Sequence, residues 1–335
     1  MRTTDLPGPF EWVTIPGGAV TLKAGGYLEQ PTTFEVVPFT IARYPITNRQ
    51  YALFIADGGY ANPTWWSEYG WRVRERQGWT GPRYWGQRDF DGEDSPVMGV
   101  TWHEAGAFCR WLSAATGESV TLPTEQQWQR AGQGDDGREF PWGSDNPDET
   151  RCNWARNVDG TTPVTQYPLG ASPYGVMDLC GNVWEICLDW YAADLGSAPQ
   201  TDPKGPAGVA PGTPSLRVMR GGSYEREAAF VRSAQRYSVA VTNITTGTGL
   251  IVSSRQSQIG FRVAVPQATA SFPLTVANGS VNTGGLFAAG TAIGLAPAAA
   301  PAGMKFGAWQ VAPTGTGLGS GFDPATAQTL LTMPA

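Results

Sequence analysis

Few residues in this chain can carry redox, metal or nucleophilic chemistry. Its 335 residues include four cysteines, Cys109, Cys152, Cys180 and Cys187, and one histidine, His103. A single imidazole excludes a multi-histidine zinc or iron centre, and without a Cys-x-x-Cys pair a local zinc clip or a disulfide framework is not expected. Cys109 lies in the apolar run 107–112, where a buried, inert thiol is the ordinary state. Cys180 and Cys187 flank Trp184 in a segment that reads as core. His103 follows Thr101 and precedes Glu104, so Thr101 is expected to cap a helix with Glu104 completing the capping box.

The elements that position any site come next. The stretch Arg220–Val263 opens Arg220-Gly221-Gly222-Ser223-Tyr224 and closes Ile259-Gly260-Phe261-Arg262-Val263. Between these ends, Glu225–Gln258 has neither strand alternation nor helical period, so it reads as a displayed surface on a fixed frame. Phe261 is expected to be buried between Arg220 and Arg262. Upstream, Glu11–Gly18 reads as a strand into a turn and Phe34–Thr40 as a second strand. Thr47 and Thr124 read as caps of helices that bury Tyr51, Phe54, Ile55 and Trp128. The tryptophan-rich segment Trp65–Asp94 is read as loop-rich, its indoles stapling an insertion onto the core.

With 29 acidic against 23 basic residues, a formal charge of −6 and no basic run, nucleic acid and anionic membrane are excluded as main partners. No apolar run approaches the length of a membrane span, and residues 1–7 lack the pattern of a signal peptide, so the expected location is cytoplasmic by default. After Pro266 only Lys305 and Asp323 are charged from residue 271 onward. The Gly/Ala/Thr-rich remainder, residues 271–335, with runs such as Phe272–Val276 and Met304–Trp309, reads as a small all-β module.

Several phrases recur in fixed order: Pro96–Leu112, Leu122–Ala131, Phe140-Pro141-Trp142-Gly143, Asn153-Trp154, Tyr174–Glu185, Arg220-Gly221-Gly222-Ser223 and Gly260-Phe261-Arg262. This wording resembles the formylglycine-generating enzyme (sulfatase-modifying factor) family, over about residues 10–266. The resemblance implies an α+β domain with an elaborated C-type lectin fold at 1–266. The C-terminal runs resemble internalin B-repeat modules of bacterial surface proteins.

What the resemblance implies for function turns on Tyr224–Ser233. The family's oxidase has a reactive, copper-binding cysteine pair shortly after the Gly-Gly-Ser phrase, and this segment contains no cysteine. The related iron-dependent sulfoxide synthases need several histidines. The expectation is therefore a protein that is not an enzyme, similar to the variable proteins of diversity-generating retroelements, with a diversifiable segment at about 220–262 that binds a protein or other macromolecular ligand. The expected contact residues are Tyr224, Glu225, Arg226, Glu227, Phe230, Gln235, Tyr237, Ser238, Val239, Ser254, Arg255, Gln256 and Gln258, with Val231–Arg236 as a scaffold strand and Val239–Gly249 as an insert. The alternative is a divergent formylglycine-generating oxidase that uses a relocated thiol, Cys180 or Cys187, on a sulfatase cysteine. No cofactor is required. The family's calcium loops are matched by Asn153 with Asp159 and by Asn182 with Glu185, and structural hydrogen bonding is the competing role for these residues.

Overall fold

Proline, glycine and capping side chains set most of the element boundaries. The computed structural model describes residues 5–22, 31–195, 200–201, 216–240, 244–246, 249–251 and 255–266, then 271–273, 279–281, 286–288, 292–297 and 329–332. Strands β1 (Trp12–Ile15) and β2 (Gly18–Leu22) are followed by β3 (Thr32–Val36) and β4 (Phe39–Ala42). The single strand expected at Phe34–Thr40 is thus two. The break falls at Val37-Pro38, where proline has no N–H to offer a ladder.

Helices α1 (Asn48–Ala56), α3 (Trp102–Thr116) and α4 (Glu125–Gln133) each start from a complete capping box, built on Thr47, Thr101 and Thr124. In each, the threonine hydroxyl and the side chain three residues on satisfy two N–H groups that a helix start leaves open. Between α1 and α3 the tryptophan-rich segment contains a helix that the sequence reading missed, α2 (Glu68–Gln77), capped by Ser67 and stopped by Gly78 at φ 65°. Trp66 and Trp79, on either side of α2, are buried in the main core, so the indoles do staple this insertion.

Strand β5 (Trp184–Trp190) pairs antiparallel with β7 (Leu216–Arg220), which pairs with β8 (Arg236–Ala240), and β11 (Ile259–Gly260) lies parallel to β5. Strand β6 (Gln200–Thr201) joins β2 and β3, and β9 (Ile244–Thr246) pairs with β10 (Gly249–Ile251). Strand β12 (Ala264–Pro266) returns to β4, with Ala264 opposite Ile41, so the two ends of the domain share one sheet with β1.

The main core is aromatic. Tyr51 stacks on Phe108 at 5.3 Å between ring centroids, and Phe261 meets both edge-on at 6.2 and 5.5 Å. Phe261 is therefore held among aromatic rings and not between Arg220 and Arg262. A second core gathers Trp128 of α4 with Ile15, Phe34, Phe39 and Val218.

Buried ion pairs tie these layers together. Glu125, the first residue of α4, accepts Arg220 Nη1 at 2.6 Å, Arg236 Nε at 2.5 Å and Arg236 Nη2 at 2.9 Å. Glu185 of β5 receives Arg262 Nε at 2.5 Å and Nη2 at 2.6 Å, together with Trp128 Nε1 at 2.8 Å. Arg236 is thus the first residue of a strand that continues to Ala240, and not the last residue of one at Val231–Arg236. The chain before it is bent by the short turn Ala228–Phe230.

By its internal contacts the chain divides into two units, Met1–Pro266 and Gln267–Ala335. In the second unit, among the described residues, β13 (Ser271–Pro273) pairs with β15 (Leu286–Ala288), and β14 (Gly279–Val281), β16 (Ala292–Pro297) and β17 (Thr329–Thr332) form an antiparallel sheet. The run Met304–Trp309 lies outside the described residues. Among the described residues no helix is long and apolar enough to cross a membrane.

Candidate functional site

Glycine decides where the chain goes after β7. Gly221 and Gly222 take φ of 91° and 76°, and a Cβ on Gly222 would come within 2.7 Å of the Phe230 carbonyl oxygen. A side chain at Gly222 would therefore be excluded on both counts. The resulting turn lays Ser223–Arg226 against the loop 153–160. Ala155 N donates to Arg226 O at 3.0 Å, Arg156 N to Tyr224 O at 2.6 Å, and Tyr224 N to Asn182 O at 3.0 Å.

Side chains then join a third segment to these two. The Arg156 guanidinium pairs with Glu225 in a short contact and with Asp159 at 3.7 Å. Glu225 also accepts from the Gln258 carboxamide, whose oxygen takes the Ser223 hydroxyl at 2.9 Å. Arg226 lies over the Phe230 ring at 5.8 Å, and Glu227 and Gln256 are exposed. One polar face with an aromatic member thus forms from residues 153–160, 223–230 and 256–258.

The face brings together Glu225, Arg226, Phe230 and Gln258 of the expected contact residues, with Glu227 and Gln256 exposed beside them in the chain. Others lie elsewhere. Tyr224 and Val239 are buried, and Tyr237 stacks on Trp184 at 5.4 Å, so these three contribute packing and not a free contact surface. Gln235 and Ser238 are half-buried, Gln235 on the turn before β8 and Ser238 on the strand itself. Arg255 turns inward: its Nη2 meets Glu104 at 2.7 Å, and its guanidinium covers Trp79 at 4.5 Å. The Glu104 carboxylate is buried and also accepts Tyr60 Oη at 2.6 Å, so Arg255 supplies the charge that balances it. Ser254 lies outside the described residues. Arg156 was missed from the sequence, because nothing in a single chain pairs it with a glutamate 69 positions on.

The residues matched to calcium loops divide. Asn153 and Asn182 do meet, Nδ2 to Oδ1 at 3.4 Å, and Asn153 also donates to Gly160 O at 2.9 Å. Asn182, at φ 57°, is occupied by Thr162 N, Thr162 O and Asp178. Glu185 does not join it, since its oxygens are held by Arg262 and Trp128. Asp159 points to solvent beside Arg156. These two residues are corrected to an internal ion pair and a surface ion pair. Among the described residues no group of three or more His, Cys, Asp and Glu is arranged to hold a metal ion.

All four thiols are buried. Burial pushes Cys109 up to about 12. It also raises Cys187, with the charges of Asp189 and Glu125 adding to the effect. Cys180 is raised by burial first and then by its contact with Cys152, and it donates to Val231 O at 2.5 Å. His103 is wedged between Tyr69 and Trp102, each ring centroid 5.4 Å away.

This architecture is an α+β domain of the C-type lectin kind, with the loops 153–160, 223–230 and 256–258 gathered after a Gly-Gly-Ser turn. The chain belongs to the sulfatase-modifying factor enzyme 1-like domain family, whose model matches residues 5–266. It is 34% identical over 251 residues to hercynine oxygenase of Mycolicibacterium smegmatis, covering 67% of this chain and 56% of that one. It is 31% identical over 307 residues to the formylglycine-generating enzyme of Thermomonospora curvata, covering 75% of this chain and 92% of that one. The chain spans about half the length of the hercynine oxygenases it matches. Among solved structures, Treponema denticola variable protein 1 superposes with a TM-score of 0.55 at 22% identity, over 77% of this chain and 95% of that one. PvdO from Pseudomonas aeruginosa gives 0.54 at 22% identity, over 78% and 98%. At that identity these two likenesses establish the fold.

The expectation that the protein is not an enzyme is overturned by these relatives, which are named enzymes of two kinds. That expectation rested on the missing thiols of Tyr224–Ser233 and the single histidine. A copper ion does not fit at Tyr224–Ser233, which offers no sulfur, and one wedged histidine does not make an iron centre.

Proposed function

We propose that the chain is a divergent oxidase of the formylglycine-generating kind, acting on a cysteine thiol carried by a polypeptide that docks on the face around Arg156, Glu225, Arg226, Phe230 and Gln258. The observation that carries this reading is the convergence of three distant segments on that face, immediately after the Gly-Gly-Ser turn. By the resemblance, this is the part of the fold where the family's oxidase works. The match to a formylglycine-generating enzyme over 92% of its length supports the same reading.

The face suits an extended peptide. Phe230 and the Arg226 plane offer flat contact area, while Glu225 and Gln258, fixed by Arg156 and Ser223, present oriented polar atoms at little entropic cost. The segment first read as a display surface thereby becomes the surface that selects the substrate.

The test is oxygen consumption by the full chain, with and without added copper, on a sulfatase-derived peptide containing cysteine, with the serine peptide as control. Turnover on the cysteine peptide alone is expected, and Glu225→Ala with Gln258→Ala should raise KM more than they lower kcat. Equal oxygen consumption on both peptides would contradict the assignment.

A further inference from the structure

Cations and anions on the face are not evenly matched. Glu225 is held from two sides, by the Arg156 guanidinium and the Gln258 carboxamide, and Asp159 lies beside Arg156 at 3.7 Å. Glu139, whose main chain meets Ser233, is taken by Arg232 at 2.9 Å. Arg226 has none of these carboxylates. Its main chain is fixed at both ends, N donating to Ser223 O at 2.9 Å and O accepting Ala155 N at 3.0 Å, and its guanidinium is laid over Phe230 at 5.8 Å. Among the described residues no carboxylate pairs with it and no acceptor meets its side chain, and Nε is buried without a partner.

We propose that Arg226 is the specificity residue of this face and binds a carboxylate, the side chain of a glutamate or aspartate on the docked polypeptide. The inference rests on the reading of the face as a polypeptide-docking surface. A half-buried guanidinium has lost part of its water without gaining an anion, so an arriving carboxylate supplies bonds that the protein does not. With Nε buried, the two terminal nitrogens are left to meet the ligand, and their N–H groups match the two oxygens of a carboxylate. The fixed main chain and the ring beneath the side chain lower the freedom lost on binding. Glu225 and Glu227 flank Arg226 in the chain, and Glu227 is exposed, so a doubly charged phosphate group would meet more repulsion there than a carboxylate.

Neighbouring residues thereby do different work. Glu225 and Gln258, locked to Arg156 and Ser223, offer fixed polar atoms that any extended chain can use. Arg226 tells an acidic side chain from a neutral one of the same shape, because a glutamine in that place leaves the cation without an anion.

The experiment is fluorescence anisotropy of the full chain with labelled glycine/serine peptides that carry serine in place of the reactive cysteine. Both peptide ends are blocked, so neither supplies a charge. A single glutamate is moved place by place along the peptide, and a matching set carries glutamine. In one register the glutamate peptide is expected to bind about tenfold more tightly than its glutamine partner. Arg226→Gln should erase that preference, and Arg88→Gln, at an exposed arginine outside the face, should keep it. Should Arg226→Gln fail to fold, Arg226→Lys decides, since it keeps the stem and the charge but not the planar fork and should weaken the preference. Equal binding of the two sets at every register, a preference that survives Arg226→Gln or is unchanged in Arg226→Lys, or tighter binding of phosphoserine than of glutamate in the same register overturns the proposal. Binding of the serine peptides needs no turnover. A glutamate preference without oxygen uptake on the cysteine peptides would keep the site and sink the oxidase reading, and oxygen uptake that is equal on glutamate and glutamine cysteine peptides would do the reverse.

Discussion

Glu125→Gln is the sharpest perturbation of the frame that holds the face. The carboxylate is buried at the first position of α4 and neutralises two buried guanidinium groups, Arg220 and Arg236, which end β7 and begin β8. Glutamine keeps the shape and removes the charge, leaving two buried cations without an anion. Breaking a buried pair from one side costs about 3–5 kcal/mol, and losing a negative charge at a helix N-terminus adds about 0.3–1 kcal/mol. Against a domain stability of roughly 5–15 kcal/mol this is a large fraction. Burial pushes the Glu125 carboxyl up, but Arg236 and Arg220 override it and hold it below the usual range. The ion pairs therefore add stability that is present above the unfolded carboxylate range and is lost as pH falls through the lower folded value. Urea unfolding at neutral pH and again below about pH 4 should show the large loss at neutral pH and a smaller difference in acid. A change below about 1 kcal/mol at neutral pH would refute the claim that this network holds β7 and β8 to α4.

Other expectations follow from the same frame. Burial, then the charge of Glu125, pushes Asp189 up to about 7. Its contribution to stability is complete below the unfolded carboxylate pKa of about 4 and is lost as pH rises through 7. Asp189→Asn should remove that part of the slope, and an unchanged pH profile of the melting temperature would contradict it. Trp184→Ala empties a buried indole stacked on Tyr237 and should cost about 3–5 kcal/mol in denaturant unfolding; a loss under about 1 kcal/mol would contradict its core role. Deleting residues 267–335 should leave the melting transition of the first unit in place, and an unfolded product by circular dichroism would show that the first unit depends on the second.

Local chemistry was legible in the sequence where a residue and its partner are close neighbours. Thr47, Thr101 and Thr124 announced their helices because a cap and its reciprocal residue are three positions apart. Ser67 and Gly78 carried the same kind of signal for α2, but the tryptophans between and around them drew the reading toward a loop. The buried arginines were misread because their carboxylates, Glu125 and Glu185, lie in other elements. Arg220 and Arg262 therefore looked like flanks of Phe261 when each has an anion elsewhere. Tyr237 and Arg255 looked displayed for want of periodicity. One instead stacks on Trp184, and the other balances Glu104, whose capping-box role gave no hint of a second partner.

Whether this face supports oxidation is tested most directly by oxygen uptake of the full chain, with and without added copper, on a cysteine peptide, read together with mass spectrometry of the peptide. The account predicts sustained, peptide-dependent uptake and a mass change confined to the cysteine. Binding of the peptide with neither oxygen uptake nor a change in its mass would contradict it.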